Sequence, residues 1–165
     1  HYVRAYFRVD KGARRIEGLI NQLGFIKYCP SCLHRFPSVE NAPERCGCGE
    51  EMNIGGPLWL GELSHDEFLG VMIKEIGNAP HLVGTKAETI MNLAKGEIGF
   101  PVAFFDFDKI CKLVGVKSVS TEDAFSAIKD AGFNAVPTHY RSRALKTNAS
   151  IEDLVEVFNG FKNIG

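Results

Sequence analysis

Cys29-Pro30-Ser31-Cys32, followed after a 13-residue spacer by Cys46-Gly47-Cys48-Gly49, is the stretch from which the first third of the chain takes its shape. A Cys-x-x-Cys turn aims two sulfurs at one point, and a second knuckle closes a tetrahedral site of four thiolates. Gly47 and Gly49 allow that second knuckle to bend tightly, because glycine tolerates positive φ. The spacer from Leu33 to Arg45 holds Pro37, Asn41 and Pro43 and no helical period, so it reads as a loop held at its base. Cys29, Cys32, Cys46 and Cys48 are therefore expected to hold a structural zinc ion, with no open coordination position for water or substrate. The competing reading is a pair of structural disulfides, which suits a secreted or hyperthermophilic protein. The fifth cysteine, Cys111, falls on an apolar helix face and reads as a core residue.

Upstream of the cysteines, Val3, Ala5, Phe7 and Val9 alternate with Tyr2, Arg4, Tyr6 and Arg8, the period of a strand with one buried and one polar face. Gly12 then admits a helix bearing Ile16, Leu19, Ile20 and Leu23, with Gly24 as its stop. Phe25 to Tyr28 is expected as a strand delivering Cys29 to its knuckle. Downstream, Gly55-Gly56-Pro57 is expected to break the chain before a buried strand Leu58-Trp59-Leu60. Helices are expected after Ser64 and Thr85, each with a capping-box acid three residues on, and then after Asp106, Ser120 and Ser150. Asn134 to Tyr140 reads as an edge strand, the place where Pro137 fits. The fold class is thus α+β: a small antiparallel sheet with a four-cysteine knuckle, then a mainly helical part. The composition shift places the boundary near residue 62, dividing 1–62 (β-rich) from 63–165 (helical). The order from Asp106 to Ala149 (helix, helix, extended strand, basic loop) is compatible with a winged-helix arrangement.

Over 165 residues the net charge is only −1, yet it is unevenly spread: residues 1–45 carry +4, 46–135 carry −6 and 136–165 carry +1. A basic end beside an acidic middle suits a one-sided polyanion surface and argues against indiscriminate nucleic-acid binding. The longest apolar run, Val102-Ala103-Phe104-Phe105, is far too short to span a bilayer. Residues 1–15 carry five cations and no apolar stretch, so no secretory signal is expected. The chain opens on His1 inside an apparent strand, and is expected to be a fragment of a longer protein.

Catalytic motifs are missing from the sequence. Gly47-Cys48-Gly49 lacks the third glycine of a dinucleotide loop, and no phosphate-binding loop, nucleophile elbow or zinc-protease motif occurs. The five histidines are scattered singly. Two basic constellations remain as candidate RNA contacts. One is Arg4 and Arg8 with Tyr2 and Tyr6; the other is Thr138 to Ala149, with His139, Tyr140, Arg141, Arg143 and Lys146. Guanidiniums pair with phosphates and aromatic rings stack on unpaired bases; a solvated surface is the alternative for both.

Taken together, the His1-Tyr2-Val3-Arg4 opening, the knuckles, Gly-Gly-Pro-Leu-Trp-Leu-Gly at 55–61 and Leu-Lys-Thr-Asn-Ala at 145–149 resemble the C-terminal half of the tRNA (guanine-26-N2)-dimethyltransferases. The similarity runs from residue 1 to about 149. The resemblance implies an upstream Rossmann-type domain that binds S-adenosylmethionine and methylates the exocyclic amine of guanine-26, while the matched half holds the tRNA. It implies an RNA-facing role for Arg141, Arg143 and Lys146, and a weaker one for Arg4 and Arg8, whose strand would otherwise pack on the catalytic domain. The expected compartment is the cytoplasm, or the nucleus or mitochondrion in a eukaryote. The rival expectation is a zinc-stapled protein-interaction module without an RNA role.

Overall fold

The structure, a computed structural model, describes residues 11–163; the strand expected over the first nine residues, with Arg4 and Arg8, lies outside them. The fold is α+β, as the sequence pattern requires. Leu23–Tyr28 (β1) is the centre of an antiparallel sheet, flanked by Arg35–Ser38 (β2) and Asn53–Trp59 (β3). Part of the spacer between the knuckles is therefore a strand, because pairing with β1 satisfies its backbone groups across the sheet.

Gly55-Gly56-Pro57 lies within β3 rather than breaking the chain. The reason is steric: a Cβ on Gly56 would sit 2.8 Å from the carbonyl oxygen of Gly24, and one on Gly24 would sit 2.6 Å from that of Ser38. The backbones approach too closely for any side chain, and the β1–β3 register shifts at the same place, between Gly24 and Ile26. Gly24 accordingly belongs to β1. The preceding helix, Ala13–Ile20 (α1), ends earlier than its apolar spacing suggests, and Ile16, Leu19 and Ile20 on it are all more than half exposed.

Asp66–Gly77 (α2) and Lys86–Gly96 (α3) follow as a helix pair. Neither begins with the expected capping box. His65, not Ser64, caps α2 through its ring nitrogen, and at α3 the Thr85 hydroxyl bonds back to Leu82 while Glu88 accepts from the Gly84 amide. The second sheet has the order β4-β6-β5, with Phe105–Asp106 (β4), Ala135–Thr138 (β5) and Arg141–Thr147 (β6). Between β4 and β5 run Phe107–Val114 (α4) and Thr121–Asp130 (α5); Ile151–Asn159 (α6) follows β6. Pro137 sits on edge strand β5, where its missing N–H costs no ladder bond. The expected basic loop after it is instead the central strand β6, because Ala144 to Thr147 are buried and the strand pairs with β4 through Ala144 and Leu145 and with β5 through Leu145 to Thr147.

Ser150 and Asp153 form a full capping box on α6, and Ser120 caps α5. These caps set helices α4, α5 and α6 around one core, where Phe107, Ile110, Ile128, Leu145, Leu154 and Phe158 are fully buried. Cys111 lies in the same core.

Candidate metal centre and basic hairpin

β1 ends at Tyr28 and hands the chain to the first knuckle, where the Cys29 amide donates to His34 O and the Leu33 amide to Cys29 O. Leu33 takes φ of 64°, completing the bend of this first knuckle without a glycine. In the second knuckle the Cys46 amide donates to Glu50 O and Gly49 adopts φ of 94°, whereas Gly47 does not need positive φ. Arg45 closes that turn on Gly49 O at 3.0 Å. Buried Lys27 on β1 clamps the approach by pairing with Glu44 at 2.6 Å.

The four sulfurs of Cys29, Cys32, Cys46 and Cys48 lie within 4.8 Å of one another. The pairs Cys29–Cys48 and Cys32–Cys46 stand at 3.5 and 3.4 Å. Sulfurs about 2.3 Å from one tetrahedral zinc would be about 3.8 Å apart, so the donor set fits that ion in number, type and spacing. The observed separations are far beyond the roughly 2.05 Å of a disulfide, and all four cysteines are free. Cys29 and Cys46 are buried, Cys32 is half-buried and Cys48 is exposed. Burial raises the Cys29 thiol, but the amides of Cys32 and Ser31 and the neighbouring thiols outweigh it and bring it down to about 7. Burial, reinforced by the surrounding sulfurs, pushes Cys32 up to about 12.

The second candidate site is the β5–β6 hairpin, whose turn is His139-Tyr140. Its cations do not share one fate. Lys146, expected at a phosphate, is 3% exposed and bonded to Glu97 at 3.1 Å, so it is withdrawn from any ligand. Arg143 is used inside the fold: its guanidinium reaches Asp108 at 2.9 Å, Ser118 at 2.8 Å and the Val119 carbonyl at 3.0 Å, fastening β6 to the start of α4 and the turn before α5. Arg141 is 55% exposed and touches Asp106 at 3.0 Å through Nε alone; its terminal nitrogens have no protein partner among the described residues. Tyr140 is exposed and stacks near-parallel on Phe104 at 5.8 Å.

Glu97, just past the end of α3, organises the hairpin's inner side. The His139 amide and ring nitrogen meet Oε1 at 2.6 and 2.7 Å, and Lys146 holds Oε2. Burial raises this carboxyl, but bonds from His139, Lys146 and Thr138 outweigh burial and hold it below the usual carboxylate range. The same negative charge adds to burial in raising Tyr140. Sequence reasoning passed over Glu97, although an acid at a helix C-terminus opposes the helix dipole and is a sign of a partner elsewhere. Arg35 was missed for want of any signal. It lies between the rings of Tyr28 (5.0 Å) and Phe105 (4.1 Å) and donates to the carbonyls of Leu33 and Phe104, joining the two sheets.

The family model described as N2,N2-dimethylguanosine tRNA methyltransferase matches residues 1–159. The tRNA (guanine(26)-N(2))-dimethyltransferase of Methanothermobacter thermautotrophicus is 36% identical over 97% of this chain and 43% of its own length. That of Methanobrevibacter smithii is 32% identical over 95% of the chain and 42% of its own length. The chain thus spans less than half the length of these relatives. A complex of Trm1 from Pyrococcus horikoshii with S-adenosyl-L-methionine resembles it in fold, with a TM-score of 0.72 at 23% identity over 88% of this chain and 38% of that one.

Proposed function

This chain belongs to the N2,N2-dimethylguanosine tRNA methyltransferase family, and from that premise we propose that it is the tRNA-holding C-terminal half of a guanine-26 N2-dimethyltransferase. The match to that family over residues 1–159 carries the reading. S-adenosylmethionine, bound by a Rossmann-type domain outside these residues, would supply the methyl group for the exocyclic amine of guanine-26. These residues contribute grip and orientation, which lower the barrier by presenting the reacting amine in place.

Cys29, Cys32, Cys46 and Cys48 hold a structural zinc ion; the four-sulfur donor set and its spacing support this. A closed site of this kind contributes folding free energy rather than chemistry. Tyr140 and Arg141 face the RNA from the hairpin turn, and His139 holds that turn to Glu97. Lys146 and Arg143 act from inside, fixing the strand that carries it. Arg4 and Arg8 stay candidates for contact with RNA or with the catalytic domain. The division at residue 62 separates a zinc-stapled platform from a helical body within one recognition domain. The working compartment is that of tRNA modification, the cytoplasm, or the nucleus or mitochondrion in a eukaryote.

Anisotropy titration with folded tRNA against an unstructured polyanion tests the reading. Expected is a preference for tRNA that persists as salt rises, and a salt slope lowered by about one unit in Arg141→Ala. Equal affinity for both polymers at every salt concentration would overturn it.

A further inference from the structure

An open groove of about 410 Å³ lies where the two sheets meet; of its lining, only Tyr140 and Arg141 carry a role assigned above. Its lining includes apolar Ile26, Leu58, Val102 and Ala103 beside the rings of Tyr28, Phe104 and Tyr140. The charged members of the lining are half-buried Arg35, buried Asp106, and exposed Lys109 and Arg141. Lys109 extends from the first turn of α4 over Tyr28, 5.0 Å from the ring centroid and 3.3 Å from its hydroxyl. Arg141 pairs through Nε with Asp106, which also caps α4, and its remaining donors have no protein partner among the described residues. Asp106 is itself buried and its carboxylate is spent on the cap and on Arg141, so the groove's accessible charge is cationic.

Flat apolar surface, aromatic walls and fixed cations together match one ligand chemistry, a nucleobase joined to a phosphate. A base desolvates well against rings and aliphatic carbon, while its phosphate needs an ammonium or guanidinium within reach. The space is ample for a single unpaired nucleotide, and too short for a duplex. We infer that this groove takes one unstacked nucleotide of the bound tRNA, its base against the Tyr28 and Tyr140 walls and its phosphate between Lys109 and Arg141. The inference rests on the tRNA-holding reading and gives it a contact site that reads an unpaired nucleotide rather than backbone charge alone.

Affinity for folded tRNA, measured against salt for the wild type, Tyr140→Ala, Tyr140→Phe and Lys109→Ala, tests it. Tyr140→Ala is expected to weaken binding at least about fivefold with an unchanged salt slope, the signature of a lost stack. Tyr140→Phe restores wild-type affinity, and Lys109→Ala lowers the slope by about one unit. A single-stranded RNA carrying 2-aminopurine should be quenched by the wild type and not by Tyr140→Ala. Wild-type affinity and slope in both alanine variants, with the tRNA preference intact, would remove the groove and the RNA-facing role of Tyr140, and leave the tRNA-holding reading standing on Arg141. Absence of any tRNA preference in the wild type would remove both.

Discussion

The two sheets of this chain are held by different physics. Around the second, thirteen buried apolar residues from β4 to α6 form one core with Leu33, including two fully buried residues each of Phe, Ile and Leu. Around the first, the buried cluster among the described residues is Cys29, Cys46 and Met52, with Cys32 and Phe36 against it. Three side chains cannot bury enough carbon to offset the ordering of some fifty residues. Among the described residues the first sheet is held by its four-cysteine cluster, the proposed zinc site, and by borrowing: Leu33 and Tyr28 pack into the second core, and Arg35 bonds across to Phe104. A small sheet need not own a core if a neighbour's core and the proposed metal crosslink serve it.

That contrast can be broken most severely at the cysteines. Cys46→Ser, or a strong zinc chelator, is expected to unfold the first sheet while leaving most of the helical circular-dichroism signal, since α2 to α6 lie in the other part. Trp59, the sole tryptophan and a β3 residue, reports the first event by a red shift of its emission. Simultaneous loss of both signals would mean that the two parts are one cooperative unit. The complementary break is Phe158→Ala, which empties a fully buried site stacked on Phe107 at 6.1 Å. It should cost about 3–5 kcal/mol in denaturant unfolding of the helical body.

A smaller effect sharpens the comparison by testing a polar tie within the second part. Glu97→Gln removes the negative partner of buried Lys146 and should cost about 1.5–3 kcal/mol, the worth of a hydrogen bond to a charged group. Because Glu97 is held below the ordinary carboxylate range in the fold, its contribution is complete above about pH 4.3, where the unfolded group is also ionised. It is lost as pH falls through the depressed folded value. Wild type and Glu97→Gln should thus converge in stability at strongly acidic pH, and parallel curves there would refute the assignment.

The helix starts at Asp106, Ser120 and Ser150, the core position of Cys111 and the α+β class were legible because each is set by neighbours in sequence: a capping side chain reaches two or three residues, and an apolar face repeats within a helix. Gly55-Gly56-Pro57 was misread because the same residues mark a turn or a close strand approach, and only the position of β1 distinguishes them. The thirteen residues between the knuckles carried no strand pattern, since β2 is four residues long and stands by pairing with β1.

By itself the sequence determined the four-sulfur donor set, the order of the helices and the basic character of the stretch from His139 to Lys146, all of them properties of spacing and residue type. Which of those cations meets water was decided only by tertiary structure. Lys146 and Arg143 found carboxylates just past α3 and on α4, and Arg141 kept most of its guanidinium outward. A charge is solvated or paired according to what lies a few ångströms away, and those neighbours come from distant parts of the chain.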